Sequence, residues 1–334
     1  NNGIDELLLD FQHIRVTDSD GDYVETGFDI TVMDDAPDDQ QIKSVTVDED
    51  STAVADGNTF NTNADATGSN TTIGDGSDGP QHGSATVNPD GTITYVPHGN
   101  YSGKDTFTYT TVTDNETKTF TVEVTVTPAA DAPNLPHAES TDPNVSGITI
   151  DTPEDTAVEL GLKTPVITDA VDDNGDSTAG DHPERLGAIT LTVSPSGTPL
   201  ATPGLVYTPD GAGTEQALML NSSGGYTIVI VETSGDVVPD TGLHHSGTLP
   251  TDNVNYLTRD EYESIQAQPA EDRHENFQVV VSVSSYEVDD TGVPLSNSEV
   301  VGGSNGAEAT QTITVDVLAV TDDVALSLQE DASQ

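Results

Sequence analysis

A short acidic pattern occurs three times along this chain, each time directly after a strand-like alternation of apolar and polar residues. Such alternation predicts half-buried β-strands. The acidic steps that follow the three alternating runs are Asp34-Asp35, Asp131-Ala132-Pro133 and Asp322-Asp323. A second alternating run then ends in Glu-Asp, at Glu49-Asp50, Glu154-Asp155 and Glu330-Asp331. The spacing therefore predicts carboxylate clusters at the junctions between consecutive β domains.

Clustered carboxylates at a junction repel one another unless a cation compensates them. Ca²⁺ is the natural partner, because it takes six to eight oxygen ligands and tolerates irregular geometry. The alternative is that these residues are solvated linker charges, as a single acidic run usually is; the repetition favours calcium. The candidate ligands in and between the junctions are Asp34, Asp35, Glu49, Asp50, Asp114, Asp131, Glu154, Asp155 and Asp322.

A further calcium site is predicted in an acidic loop of the second long interval. The loop reads Asp172-Asp173-Asn174-Gly175-Asp176, and Asp169, Asp181 and Glu184 flank it. Its glycine is fourth, whereas an EF-hand loop needs it sixth, so the loop is not a regular EF-hand. A solvated acidic loop is the alternative.

The charge of the chain limits its partners. Of 334 residues, 59 are Asp or Glu and 8 are Lys or Arg, which gives a formal net charge of -51. Nucleic acid and anionic membrane surfaces are excluded as partners, because both require clustered basic residues. The alternating Val, Ile and Thr runs argue against disorder, and bound cations would offset the charge and replace the disulfides that a chain without Cys cannot form.

The junctions divide the chain into unequal parts. Residues 1–35, with strands predicted around 11–16 and 23–32, are expected to close a preceding domain, and residues 322–334 to begin another. Residues 36–133 have the length of one β-sandwich, with a hairpin predicted over 83–96. Residues 134–321 span about twice that length without an internal junction, which favours one enlarged sandwich. Because the chain starts and stops within patterns, we expect it to be a segment of a longer, monomeric protein.

The enlarged domain contains a stretch, residues 233–276, that does not have a strand pattern. Thr258 and Glu261 predict a capping box for a short helix in which Tyr262 and Ile265 share a face. Loops on a rigid scaffold often carry binding sites. The candidate ligand-binding residues are Asp252, Asn253, Asn255, Tyr256, Asp260, Tyr262, Glu271, Asp272, Arg273 and Glu275. Residues 277–285 are predicted as a core strand; a peptide-binding sheet edge is the alternative.

Motifs for catalysis are missing from the sequence. There is no Cys nucleophile, no Gly-x-Ser-x-Gly elbow and no Gly-Lys phosphate loop, and the adjacent His244 and His245 lack the spacing of zinc ligands. An apolar run of about 18 residues, which a membrane span needs, is also missing. We therefore expect a binding or structural protein without membrane insertion and without enzymatic activity.

Several motifs of the first complete interval resemble a known family. They are Glu49-Asp50, Gly83-Ser84-Ala85-Thr86-Val87, Asn100-Tyr101-Ser102-Gly103-Lys104-Asp105 with Phe107 and Tyr109, and Asp131-Ala132-Pro133. Together they resemble the cadherin-like tandem repeats of bacterial RTX adhesins, over nearly all of residues 36–133. The resemblance implies an all-β fold of tandem immunoglobulin-like or cadherin-like sandwiches, the second enlarged by loop insertions and a short helix.

The enlarged domain resembles domains near the ligand-binding end of RTX adhesins exported by type I secretion. The resemblance rests on Glu154-Asp155-Thr156, on residues 176–192 and on Arg273-His274-Glu275-Asn276-Phe277. It implies an extracellular bacterial surface protein with a domain that binds the C-terminal carboxylate of a protein or peptide on host cells or biofilm partners through Ca²⁺. A passive calcium-stiffened spacer and a calcium-dependent sugar-binding module are the alternatives. The RTX nonapeptide repeat Gly-Gly-x-Gly-x-Asp is absent from the sequence.

Overall fold

The computed structural model describes most of the chain. The described residues are 6–9, 14–17, 19–21, 23–26, 30–33, 42–52, 58–62, 66–113, 116–169, 182–195, 204–211, 213–240, 243, 250–289 and 291–321. Nine predicted calcium ligands lie outside them: Asp34, Asp35, Asp114, Asp172, Asp173, Asn174, Asp176, Asp181 and Asp322. Among the described helices, none has the length and apolar character needed to cross a membrane.

The first strands form a nested antiparallel hairpin rather than the two strands that the sequence predicted. They are β1 (Glu6–Leu9), β2 (Ile14–Thr17), β3 (Tyr23–Thr26) and β4 (Ile30–Met33). Strand β2 pairs with β3, and β1 pairs with β4 outside them. A tight turn joins β2 to β3, and Gly21 in this turn has a φ of 97°, which favours glycine.

Residues 42–127 form a β-sandwich of two sheets. Its strands are β5 (Ile42–Asp48), β6 (Thr59–Phe60), β7 (Thr71–Ile73), β8 (Gly83–Val87), β9 (Ile93–Pro97), β10 (Gly103–Thr113) and β11 (Glu116–Thr127). One sheet has the order β5-β11-β10-β7 and the other β6-β9-β8. Their facing side chains, among them Tyr95, Phe107 and Val122, form the core. The first strand, β5, runs parallel to the last strand, β11.

The predicted hairpin is confirmed as β8 and β9, which pair from Gly83–Pro97 to Val87–Ile93. Asn88 donates its N–H to the Thr92 carbonyl to close the turn. Gly91 has a φ of 89°, and a Cβ there would collide with the Ala66 carbonyl. Only glycine fits this turn, since an L side chain meets both the strained backbone and the neighbouring chain.

The enlarged domain has a second pair of sheets. Its elements are β12 (Ile148–Pro153), β13 (Val158–Glu159), β14 (Glu184–Leu186), β15 (Ile189–Pro195), β16 (Gly204–Tyr207), β17 (Gln216–Ala217), β18 (Tyr226–Ile230), β19 (Val254–Leu257), α1 (Arg259–Glu263), β20 (Gln266–Gln268), β21 (Phe277–Glu287) and β22 (Ala307–Leu318). The larger sheet has the order β12-β22-β21-β15-β18-β19, with β14 also paired to β21, and the smaller sheet the order β13-β20-β16-β17. Here too the first strand, β12, runs parallel to the last, β22. One apolar core extends from Leu135 to Val317 and includes side chains from both sheets.

Strand β21 lies in the middle of the larger sheet and alternates between buried and more exposed residues along its length. It pairs with β15 on one side and with β22 on the other. The prediction of a core strand is confirmed, and the alternative of a peptide-binding edge is wrong, because both of its backbone edges are already paired. The overall prediction of an all-β fold of tandem sandwiches is also confirmed.

The predicted capping box is present at α1. Thr258 accepts a hydrogen bond from the Glu261 N–H, and the Glu261 carboxylate accepts one from the Thr258 N–H. Glu261 also accepts hydrogen bonds from the Asp210 N–H and the Ser234 hydroxyl. The helix therefore fixes two neighbouring loops, while Tyr262 and Ile265 anchor it in the core.

Candidate interdomain cation site

Five carboxylates from two domains lie at the junction between the sandwiches, and we call them the joint cluster: Glu49, Asp131, Asp169, Glu184 and Glu287. Glu49 follows the last residue of β5, and Asp131 lies in the linker after β11. Glu184 begins β14, and Glu287 ends β21. The fold thus brings together residues that are far apart in the sequence.

Glu184 and Glu287 are the deepest members of the joint cluster. They are directly opposite each other on the antiparallel strands β14 and β21, and their exposed fractions are 1% and 0%. Glu184 Oε1 accepts hydrogen bonds from the Asp131 N–H and the Ser285 hydroxyl. Glu184 Oε2 and both carboxylate oxygens of Glu287 are buried without a hydrogen-bond partner. Buried charge left in this state is costly.

The electrostatics of the joint cluster show this cost. Burial, followed by the charges of Glu49, Glu184, Asp169 and Asp131, raises the pKa of Glu287 to about 10. Burial is also the main cause that raises the pKa of Glu184 to about 7. The pKa of Asp131 is raised by burial and by the charge of Asp50. In the absence of a cation, protonation of these carboxyl groups reduces the negative charge of the junction.

Arg185 is a positive group beside the joint cluster. Its guanidinium donates a hydrogen bond to the Glu184 carbonyl oxygen at 2.8 Å, rather than to the Glu184 carboxylate. Burial lowers the pKa of Arg185, and the charge of Asp169 partly opposes that shift. The single charge of Arg185 cannot balance the five carboxylates of the joint cluster.

The predicted repetition of Glu-Asp pairs is visible as a repeated hydrogen-bond geometry. The Glu49 N–H bonds the Thr127 carbonyl at 3.0 Å, and the Glu154 N–H bonds the Leu318 carbonyl at 2.9 Å. The Glu49 carboxylate accepts a hydrogen bond from the Ala129 N–H at 2.8 Å, and the Glu154 carboxylate accepts one from the Val320 N–H at 2.5 Å. Each of these donors lies two residues after the carbonyl group that the glutamate N–H contacts. Both glutamates thus tie the first strand of their domain to the segment that leaves it.

The aspartates of the two pairs correspond as well. Asp50 and Asp155 have φ angles of 54° and 63°. Asp50 Oδ1 accepts the Asn100 N–H at 3.0 Å, and Asp155 Oδ1 accepts the Asp272 N–H at 2.8 Å. Asp272, which the sequence analysis assigned to ligand binding, therefore has the position at the second junction that Asn100 has at the first.

The predicted ligand-binding residues do not form one site. Asp252 is exposed and accepts the Ser222 N–H at 2.7 Å. Hydrogen bonds from the Ser222 side chain, and then from its backbone N–H, lower the pKa of Asp252. Asn253 bonds the Leu220 carbonyl at 2.8 Å. These two residues precede β19, one edge of the larger sheet, whereas Asp272 contacts the segment after β12, the opposite edge.

Two of the predicted ligand-binding residues are structural, which corrects the sequence interpretation. Asn255 is 5% exposed, and its side-chain amide bonds backbone groups of Met219 and Thr227. Tyr262 is 1% exposed and packs in the core, so it cannot stack on a ligand. The remaining residues are exposed or half-buried at the surface: Tyr256, Asp260, Glu271, Arg273 and Glu275. Arg273 lies 3.5 Å from Glu275 in a surface ion pair.

Glu287 is the important residue that the sequence analysis missed. The alternation of β21 places Val279, Val281 and Val283 inward, and Glu287 continues the same phase. An acidic residue at an inward position of a core strand is a signal for a functional or ion-binding role, because isolated buried carboxylates are rare.

The fold and the junction define a class of protein: tandem β-sandwiches joined end to end, each with its first strand parallel to its last. Residues 34–128 match the bacterial cadherin-like domain. This match confirms the prediction of a cadherin-like extender domain, and such a domain fits an extracellular, adhesin-like protein. No curated protein sequence matches the chain.

Solved structures with some similarity include two cadherin fragments. Mouse protocadherin-24 EC1-3 is 12% identical, with 94% of this chain and 80% of that chain covered and a TM-score of 0.24. Human protocadherin-24 EC1-2 is 8% identical, with coverages of 84% and 96% and a TM-score of 0.28. A SusE-like surface located polysaccharide binding protein of Bacteroides thetaiotaomicron is 10% identical, with coverages of 95% and 51% and a TM-score of 0.19.

Proposed function

We propose that this chain is an extender segment of a bacterial cell-surface adhesin and that Ca²⁺ bound by the joint cluster holds its two sandwiches in a fixed orientation. The observation that carries this proposal is the Glu287 carboxylate, which is fully buried, has no hydrogen-bond partner and faces four other carboxylates. A divalent cation would compensate these charges, whereas water or a proton would leave most of them unpaired.

The donor set fits calcium. All five members of the joint cluster offer carboxylate oxygens, the hard ligands that Ca²⁺ prefers over nitrogen or sulfur. Among the described residues, no group of three or more His, Asp or Glu side chains already has the spacing needed to hold a metal ion. Side-chain rotation toward the ion is therefore part of the proposal, and Glu49, Glu184 and Glu287 would supply the central ligands.

The second junction supports the same function. Glu154 and Asp155 repeat the geometry of Glu49 and Asp50. In this proposal each sandwich presents such a pair, and the following sandwich supplies the buried partners, as Glu184 and Glu287 do at the first junction. A chain built in this way becomes a rigid rod when calcium is present.

The finer expectations stay predictions. The predicted binding of a C-terminal peptide requires residues 252–275 to form one surface. Asp252 precedes one edge strand of the larger sheet, whereas Asp272 contacts the segment after the opposite edge strand, and this separation weakens the prediction. Membership of the RTX adhesins, type I secretion and a role in biofilms rest on the sequence resemblance described above.

Calcium titration of the full chain tests the proposal. Isothermal titration calorimetry after removal of metal should show calcium binding, and small-angle X-ray scattering should show a narrower distribution of overall lengths in calcium than in EDTA. Equal scattering profiles in both conditions would contradict a stiffening role. Magnesium is the control ion, because its demand for octahedral geometry and its retained waters suit this irregular cluster poorly.

A further inference from the structure

The two sandwiches are built alike at the end where the chain leaves them. Thr127, the last residue of β11, pairs with Asp48, and Leu318, the last residue of β22, pairs with Pro153. Asp48 and Pro153 each precede the glutamate of a Glu-Asp pair. Thr127 and Leu318 therefore occupy equivalent positions, and the three residues that follow each of them correspond in turn.

A second segment of each end corresponds as well. Asn100 and Asp272 have φ angles of 58° and 56°, and each donates its N–H to the aspartate of the Glu-Asp pair in its own sandwich. The pairing of β10 with β11 and of β21 with β22 gives the same correspondence. Ser102 of the first sandwich is thus equivalent to His274 of the second. We call the surface formed by these segments the exit face: residues 100–104 and 127–130 in the first sandwich, and residues 272–276 and 318–321 in the second.

The enlarged sandwich contacts the first exit face through direct hydrogen bonds. The His182 N–H donates to the Ser102 hydroxyl at 2.9 Å, and the Val301 N–H donates to the Pro128 carbonyl at 2.8 Å. Ser102 is 0% exposed, and Pro128 is buried. Both donors are backbone groups, so these two contacts do not depend on the side chains of the domain that supplies the donors.

The second exit face is exposed at the equivalent positions. His274 and Ala319, the counterparts of the two acceptors on the first exit face, are both exposed. Leu318 and Val320 are also exposed, by 54% and 51%. Covering these two side chains would remove apolar surface from water. The second exit face thus has the acceptors of the first, together with uncovered apolar surface.

The chain leaves both exit faces through linkers that match in length. Asp131 lies four residues after Thr127, and Asp322 lies four residues after Leu318. At the first exit face this linker leads into the sandwich that supplies the two backbone donors. A sandwich joined through the second linker would reach the second exit face in the same way, because a short tether keeps it at high effective concentration.

A C-terminal peptide fits the second exit face less well. Asp272, Arg273 and Glu275, which the sequence analysis assigned to ligand binding, belong to this face. Arg273 already lies 3.5 Å from Glu275 in an ion pair. A terminal carboxylate would be repelled by Asp272 and Glu275, whereas uncharged backbone N–H donors are not.

We propose that the second exit face docks the N-terminal end of a following β-sandwich of this chain, in the orientation in which the first exit face docks the enlarged sandwich. The Ala319 carbonyl and the His274 imidazole accept backbone N–H groups of the following sandwich, which also covers Leu318 and Val320. This inference rests on the extender function proposed above, but it compares two junctions under the same conditions and does not require bound calcium.

A tandem chain tests the proposal. It consists of residues 1–321 followed directly by a second copy of residues 131–321, so that the new linker has the length of the first. Because the chain lacks Cys, spin labels attach only at introduced cysteines, and double electron–electron resonance then measures the distance across each junction. Glu123→Cys with Glu308→Cys labels the first junction. Thr314→Cys, equivalent to Glu123 in the strand register, with Glu308→Cys of the second copy labels the second. We expect the same mean distance and the same narrow distribution at both.

A double variant on the second exit face shows whether its apolar surface takes part in docking. Leu318→Asn with Val320→Asn should abolish the narrow distribution at the second junction and leave the first unchanged. The matched control is Val237→Asn with Val238→Asn, two residues that are each 65% exposed in the loop after β18 of the same sandwich. The control should leave both distributions narrow.

The first junction of the tandem chain reports that its sandwiches are folded. A second junction with a broader distribution than the first would overturn the proposal, as would a second junction that the Leu318 and Val320 changes leave narrow. Binding of a peptide with a free C-terminus to the tandem chain as tightly as to the single chain would also overturn it, because the face would then be open to a ligand. Measurements in calcium and in EDTA separate the two proposals. Junctions that match each other but do not respond to calcium support docking and contradict stiffening by calcium.

Discussion

Glu184 and Glu287 are paired directly across two antiparallel strands, in a register that normally brings apolar or oppositely charged side chains together. Both are buried, and Glu287 has no hydrogen-bond partner. Like charges opposite each other destabilise a sheet. A cation bound between these two carboxylates at the domain junction would remove their repulsion.

Glu287→Gln should remove most of the thermal stabilisation that calcium gives to the unaltered chain. In EDTA at pH 7 the variant should melt no lower than the unaltered chain, because a pKa of about 10 leaves Glu287 uncharged there. Differential scanning calorimetry with and without calcium measures the difference. The matched control is Glu123→Gln, an exposed position on β11, which should keep the full calcium effect. A calcium effect of the same size in both variants would contradict a ligand role for Glu287.

The metal-free chain should lose stability as the pH rises. Glu184 and Glu287 have pKa values raised from 4.5 to about 7 and about 10. Above pH 4.5 the unfolded chain releases these protons while the folded chain retains them, so unfolding becomes more favourable until the folded-state pKa values are passed. Urea unfolding in EDTA between pH 5 and pH 8 should show this fall.

The double variant Glu184→Gln with Glu287→Gln separates this effect from the general repulsion of an acidic chain. Its stability in EDTA should depend less on pH than that of Glu123→Gln. In calcium the unaltered chain should instead gain stability from pH 5 to pH 7, because the ion binds ionised carboxylates. Parallel pH profiles with and without calcium would speak against the cluster as the source.

Tyr262→Ala should destabilise the enlarged domain by about 3 to 5 kcal/mol, the usual cost of deleting a buried aromatic side chain. Tyr262 is a residue of α1 and is 1% exposed in the core. Tyr256→Ala, at a half-buried position on the edge strand β19, should cost about 1 kcal/mol. Urea unfolding monitored by circular dichroism measures both. Equal losses would mean that Tyr262 is not the core residue that the structure shows.

Gly91→Ala should destabilise the first sandwich by more than about 1 kcal/mol. The backbone there has a φ of 89°, and the added methyl group would meet the Ala66 carbonyl. Gly147→Ala is the control, because a Cβ there has open space and its φ is not positive. Thermal melting in calcium compares the two, and a Gly91→Ala variant as stable as the control would show that the turn can relax.

Local patterns were enough to predict much of this structure. The hairpin from Gly83 to Val96, the cap of Thr258 by Glu261 and the alternation of β21 depend on neighbours within a few residues, so the sequence contains their signals. The joint pairs Glu49-Asp50 and Glu154-Asp155 were identified because the chain repeats them.

The rest depends on contacts that local patterns do not encode. Glu287 meets Glu184 only because β14 pairs with β21, and Asp272 meets Asp155 across a sequence separation of 117 residues. Tyr262 and Asn255 were misassigned because a helix cap and a strand end do not show which side chains turn inward. Whether the predicted loop from Asp172 to Asp181 binds calcium stays a prediction outside the described residues.

The parallel pairing of β5 with β11, and of β12 with β22, determines how each sandwich carries tension. Because the two terminal strands run side by side in the same direction, a pull on the chain ends slides one strand along the other. Rupture then requires the inter-strand hydrogen bonds to break together, rather than one after another from an end. Such a chain would resist a pull on its two ends better than its equilibrium stability alone implies.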